Sequence, residues 1–245
     1  MLCTSLDRNY LPWGKLYCLS AALTNPNEKI YISSVNLSKN EIKELKDCNM
    51  LVNITNHKIE VPKTIRYRQY MQCRISHVLL EVFEKFQNTN EICIVTDVDM
   101  LFRKSLNDLY ALIQDNDILL KFDKEHLDMK EIQNGIIMFR CNQIAINLFL
   151  LFYNKMWDNG IINYRDDQRQ LFKAWKEFRG VINFEEIPHD YVDGSFRKDS
   201  HIWSAHIGNR FNNYNKFLEE LGLPKVDKCP NLSWIGKSDG RQEAN

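Results

Sequence analysis

The sequence predicts an α/β fold in which a mixed, mostly parallel central sheet is flanked by helices. Three observations predict it. Short β-branched runs alternate with amphipathic segments of helical length. The run "EICIV" at Glu91–Val95 is apolar enough for a strand covered on both faces. No internal repeat or low-complexity linker interrupts the alternation. At 245 residues the chain lies at the upper end of what one core holds. Residues 1–230 are therefore expected to form one domain and residues 231–245 a poorly ordered tail.

Each element has its own local reason. A strand over about Met1–Ser5 breaks at "LDRNY", and a helix over Pro12–Thr24 follows, with Leu16, Leu19, Ala22 and Leu23 expected on its buried face. "NPNE" stops that helix, and "KIYISSV" reads as the second strand. Ser38 and Glu41 have the spacing of a capping box at the head of the helix "KNEIKELKDC". "HKIEV", ended by Pro62, is the candidate third strand. Tyr67–Phe86 reads as one long helix with Met71, Ile75, Val78, Leu79, Val82 and Phe86 inward and Arg74 in its first half. After the strand of "EICIV" come a short helix "SLNDLYALIQ", strands "DILLKFD" and "NGIIMFR", and the apolar helix Asn142–Trp157. The helix "RDDQRQLFKAWKEF" and the short strands "VINFEEI" and "HIWSAHIG" complete the order.

Composition narrows the function. Lys plus Arg equals Asp plus Glu at 32 each, so no global field favours nucleic acid or an anionic membrane as partner. No apolar run reaches the roughly 18 residues of a membrane span. Seven scattered cysteines without a C-x-x-C pair read as core thiols in a reducing compartment. The first ten residues do not have the layout of a signal peptide, so the expected location is cytoplasmic.

In sheets of this kind ligands collect beyond the carboxyl ends of the strands. There the sequence places Asp97 and Asp99, in "TDVDMLF". Two carboxylates one residue apart repel each other unless a cation sits between them. While the chain stays extended, i and i+2 share a face, so both could hold a hard divalent cation that neutralises a phosphate leaving group. His206, at the end of the last strand, is a candidate nitrogen ligand and favours Mn2+ over Mg2+.

The order of these features resembles the glycosyltransferases of the GT-A fold, a Rossmann-like architecture. The resemblance is nearest to the retaining group that contains glycogenin and galactosyltransferases. The matching pieces are "LDRNY" after the first strand, an arginine-bearing helix, the D-x-D of "TDVDMLF", "NGI", "DDQ" and a final H-x-G in "HIGNRF". The resemblance implies an enzyme that moves a sugar from a nucleotide-diphosphate sugar, UDP-linked, to an acceptor hydroxyl. It also implies that Thr4, Asp7 and Tyr10 contact nucleobase and ribose, that Arg74 faces the diphosphate, and that Asp97, Asp99 and His206 hold the metal. Asn134 and Gly135 would border the donor sugar, and Asp167 and Gln168 would stand near the anomeric carbon. Asp166 competes with Asp167 for that place. Gly208 and Arg210 would close the phosphate end, although the glycine comes one residue early and the family's lysine is missing. Two alternatives remain: a non-catalytic nucleotide-sugar binding module of the same fold, and a haloacid-dehalogenase-like Mg-dependent phosphatase. The acceptor, whether saccharide, lipid-linked or protein, has no readable signature.

Overall fold

The computed structural model describes residues 1–61, 67–87, 89, 91–122, 132–158, 165–193, 197, 199–204, 215–216, 218–220 and 222–223. Among them β1 (Leu2–Asp7), a 3-10 turn (Arg8–Tyr10), α1 (Leu11–Thr24), β2 (Ile30–Val35), α2 (Lys39–Cys48) and β3 (Val52–His57) form the first half. Next are α3 (Tyr67–Cys73), α4 (Ile75–Phe86), β4 (Ile92–Thr96), β5 (Met100–Phe102), α5 (Asn107–Leu112), β6 (Ile118–Phe122) and β7 (Ile132–Arg140). The order ends with α6 (Gln143–Trp157), α7 (Asp166–Phe178), β8 (Phe184–Glu186), β9 (Val192–Asp193) and β10 (Ile202–Ser204).

The main sheet runs β3-β2-β1-β4-β7-β6-β8. β1 pairs in parallel with β2 and β4, β2 with β3, and β6 with β8, whereas β7 is antiparallel to both neighbours. Alternation along each strand divides the apolar side chains between two cores. Leu2, Leu6, Ile94, Leu119 and Met138 pack with Trp13, Leu16 and Tyr17 of α1 on one face. Cys3, Cys93, Val95, Leu120 and Phe139 pack with Val78, Leu79, Phe149 and Leu171 of α4, α6 and α7 on the other. The helix-flanked, mostly parallel sheet is the one expected from the sequence. All six described cysteines are free, and five of them are buried as core residues.

Local differences have local causes. The first strand runs on to Asp7, because its whole length pairs with β2 from Leu2 to Asp7. The buried stripe of α1 is Trp13, Leu16, Tyr17, Ser20 and Ala21, and Leu23 is 56% exposed. Leu16 is buried as expected, the rings of Trp13 and Tyr17 share its face, and the Tyr17 hydroxyl accepts from Thr96 Oγ1. The third strand is Val52–His57, upstream of "HKIEV", in register with Ile30–Val35. Pairing to β2 decides between two β-branched runs that local propensity cannot separate.

The helix expected over Tyr67–Phe86 is broken at Arg74. There the Arg74 amide donates to Met71 O at 3.3 Å, and the Ser76 hydroxyl donates to Cys73 O at 2.9 Å. A three-stranded sheet, β5-β10-β9, was not anticipated. It covers the α1 side, where Ser20 Oγ accepts from the Phe102 amide at 3.2 Å and Asn25 Oδ1 from Leu106 at 2.9 Å. The proposed tail, 231–245, lies outside the described residues.

Candidate functional site

Because β7 runs against its neighbours, its first residues stand at the carboxyl ends of β1 and β4. Asn134 and Gly135 lie within this strand, which starts at Ile132, two residues before the expected "NGIIMFR". On the side of β6 the register jumps, with Lys121 opposite Gln133 but Leu120 opposite Ile137. This bulge re-aims residues 134–136 toward β4. The Asp97 amide donates to Gly135 O at 3.0 Å, and a Cβ at Gly135 would stand 3.1 Å from Asp97 Oδ2. The missing side chain of Gly135 is the space that the Asp97 carboxylate borders.

The chain does not stay extended between the two aspartates. It turns at Val98 and Asp99 before entering β5. The assumption that they share one face of an extended strand is thus replaced by a turn. Val98 is buried, as expected for a core-facing residue, while Asp97 is exposed and Asp99 half-buried. The Asp97 carboxylate thus keeps most of its contact with water, whereas Asp99 Oδ1 is buried. The Asp97 carboxylate, beside a cradle emptied by glycine, offers hard oxygen donors of the kind that Mg2+ or Mn2+ takes. Among the described residues no set of three His, Cys, Asp or Glu side chains could hold a metal ion. His206, Gly208 and Arg210 lie outside the described residues, and the side chain of Asn134 is not described.

At the end of β1, Asp7 is 3% exposed and shapes the loop that follows. Its Oδ1 accepts from the Asn9 amide at 2.9 Å and the Tyr10 amide at 3.2 Å, and its Oδ2 accepts from Asn9 Nδ2 at 3.1 Å. Tyr10, half-buried, then heads α1. Thr4 is 0% exposed and its hydroxyl donates to Thr96 O at 2.8 Å, so its side chain ties β1 to β4 and presents no surface. Tyr67 has its phenol pushed up by burial and by a hydrogen bond to Asp7. Sequence reasoning missed Tyr67, and its spacing held no signal for it.

Arg74 is not a surface charge. It is 2% exposed, with Nη2 donating to Ser33 Oγ at 2.7 Å and lying 3.8 Å from Glu81 Oε2. Cys73, its neighbour, touches the start of α7. Burial pushes the Cys73 thiol up, the charges of Asp167 and Asp166 push it further, and the Asp167 amide opposes them. Arg165 enters α7 in the left-handed region at φ 64, which turns the helix start toward α3. Asp166 lies 3.8 Å from Arg169, and Asp167 and Gln168 are half-buried in the first turn. Asp7, Tyr67, Arg74 and the start of α7 are thereby linked, and Asp97 and Gly135 form a second pair on the same sheet edge. Ser33 and Glu81 were also missed. The seven-residue step from Arg74 to Glu81, two turns along one helix face, was the available signal.

No protein-family model matches the sequence, and no characterised protein matches it as a sequence relative. The fold does find relatives. The galactosyltransferase LgtC, in complex with donor and acceptor sugar analogs, superposes with a TM-score of 0.62 over 96% of this chain and 99% of its own, at 11% identity. The chain has the GT-A fold of LgtC. An active-site mutant of LgtC, with a glutamine replaced by glutamate, gives 0.59 over the same shares and 11% identity. The glycosyltransferase GlyE of Streptococcus pneumoniae TIGR4 gives 0.52 over 78% of this chain and 46% of its own, at 14% identity. No described helix is long and apolar enough to cross a membrane.

Proposed function

We propose that this protein is a glycosyltransferase that moves a sugar from a nucleotide-diphosphate sugar, UDP-linked, to an acceptor hydroxyl with retention. The observation that carries the reading is the Asp97–Gly135 contact at the carboxyl edge of an LgtC-like sheet. There the Asp97 carboxylate borders a space kept open by the absence of a side chain. Asp97 and Asp99 would hold a divalent cation, with His206 as third ligand. That cation supplies charge neutralisation for the departing diphosphate.

The protein's own part is to bind and orient. Asp7 and Tyr10 are assigned to the nucleobase and ribose, and Arg74 to the phosphate end. In transfer, the bond from the anomeric carbon to the diphosphate oxygen breaks. The acceptor oxygen bonds to that carbon and passes its proton to the departing diphosphate. Positive charge grows on the ring meanwhile, and the polar first turn of α7, with Asp167 and Gln168, is assigned to stabilise it. LgtC itself has an active-site glutamine, and Gln168 is our candidate for the same place. Gly208 and Arg210 are assigned to the phosphate end.

Thermal unfolding with UDP, GDP and ADP, each with and without Mn2+, tests the reading. The expected result is a Mn2+-dependent rise with UDP that disappears in Asp99→Ala. No rise with any nucleotide overturns it. Mass spectrometry of products from a mixed donor pool then separates a transferase from a binding module.

A further inference from the structure

Tyr31 and Ser33 of β2 and His57 at the end of β3 carry a polar network that the carboxylate pair and the start of α7 do not use. Its centre is Glu81 on α4. Ser33 donates to Glu81 Oε2 at 2.7 Å, the Tyr31 hydroxyl donates to Oε1, and His57 Nε2 lies 2.9 Å from the same Oε1. Burial pushes the Glu81 carboxyl up, but the hydrogen bonds from Ser33, Tyr31 and His57, with the charge of His57, outweigh it and keep the group below its ordinary value. Glu81 is an anion held by three donors.

Ser33 connects that anion to Arg74. A hydroxyl has one proton to give and lone pairs to accept with. Here the proton goes to Glu81, and the oxygen accepts from Arg74 Nη2 at 2.7 Å. Glu81 thus fixes the direction in which Ser33 presents its acceptor, and Ser33 fixes the guanidinium. Arg74 Nε is buried with no hydrogen-bond partner among the described residues. Leaving a buried donor unsatisfied is costly. The break between α3 and α4 nevertheless holds this cation in place with one donor uncommitted, close to the α7 start through Cys73. An arginine needed only for packing would gain by reorienting toward the carboxylate 3.8 Å away.

We propose that Glu81, acting through Ser33, is a positioning residue that holds Arg74 in the orientation required by the diphosphate end of the donor. This rests on the transferase reading. A purely structural brace between α4 and β2 is the competing role, and the two differ in what they do to phosphate recognition.

The test compares UDP with uridine, the same ligand without its phosphates, by calorimetric titration in Mn2+. Glu81→Gln and Ser33→Ala are each expected to weaken UDP binding about tenfold, the worth of one charge-assisted hydrogen bond, and to leave uridine binding unchanged. In an Arg74→Ala background, Glu81→Gln is expected to add no further loss. Equal losses for UDP and uridine, unchanged UDP binding, or a full loss in the Arg74→Ala background each overturn the assignment. Should Glu81→Gln fail to fold, Ser33→Ala decides alone. A wild-type protein that binds no UDP overturns the transferase reading itself, whereas wild-type binding with unaffected variants removes only the role of Glu81.

Discussion

Asp97 and Gly135 meet twice. The Asp97 amide donates to Gly135 O at 3.0 Å, and the position a Gly135 Cβ would take is 3.1 Å from Asp97 Oδ2. The first contact joins β4 to β7, and the second leaves the carboxylate its space.

Gly135→Ala therefore separates fold from function. Gly135 is not in the left-handed region, so alanine meets no backbone strain there. Its methyl group would press on Asp97 Oδ2 and on Met100 Cε, at 3.0 Å. Asp97 is exposed and can move by a few tenths of an ångström, so the stability cost is expected to stay under about 1 kcal/mol. Moving a ligand-bearing carboxylate that far is expected to lower Mn2+-dependent UDP binding by about tenfold. Circular dichroism melting and titration calorimetry check the two halves. A large fall in melting temperature with unchanged binding contradicts the assignment.

Asp7 allows the same separation at the other end of the site. Its Oδ1 holds the amides of Asn9 and Tyr10, so Asp7→Ala is expected to cost about 1–2 kcal/mol through loss of a cap. Asp7→Asn keeps an acceptor oxygen and is expected to cost less than half as much. Chemical denaturation of both variants measures the difference. If the two variants are equally destabilised, the carboxylate acts through its charge and not through the loop it shapes.

How far these features could be read from the sequence depends on how local their causes are. The Ser38–Glu41 capping box forms as expected, with Ser38 Oγ accepting from Glu41 N and Glu41 Oε2 accepting from Ser38 N. Everything that box needs lies within four residues. The strand of Ile92–Thr96 was legible for the same reason, since its apolar run is continuous in the sequence. The choice of Val52–His57 over "HKIEV" was not, because β2 makes it from more than twenty residues away. Nor was the burial of Arg74, since its partner Ser33 is 41 residues distant and looks unremarkable in a strand. The turn at Val98–Asp99 escaped because a D-x-D sequence has no breaker.

Gly14 marks a packing contact that no periodicity reveals. A Cβ there would stand 2.5 Å from Leu6 Cδ2 and 3.1 Å from Leu45 Cδ2, so α1 approaches β1 and α2 through bare backbone. Alanine in a helix is worth about 1 kcal/mol over glycine. Leu6 is fully buried and cannot swing aside, and overpacking of this kind costs roughly 1–3 kcal/mol. Gly14→Ala is expected to be destabilising by about 1–2 kcal/mol net. The double variant with Leu6→Val is expected to recover part of that loss in urea denaturation. A stabilised Gly14→Ala shows that propensity outweighs the contact.

His77 makes stability depend on pH in a defined window. It packs among the rings of Tyr70, Tyr153 and Trp157, and its Nδ1 has no hydrogen-bond partner among the described residues. Burial, then the Arg74 charge, hold its pKa at about 4 against an ordinary 6.5, with Glu81 opposing and His57 adding to the depression. The unfolded chain therefore binds the proton first as pH falls. The contribution of His77 is complete above 6.5 and is lost progressively down to about 4. Between about pH 7 and pH 5 the loss is expected to be on the order of 2 kcal/mol. His77→Phe fills the same aromatic site without a titrating group. Urea denaturation of both proteins across that range measures the effect, because acid-sensitive groups remote from His77 act equally on each. The wild type should lose more stability than the variant on acidification, and parallel slopes would show that the imidazole is protonated as readily in the folded protein as in the unfolded chain.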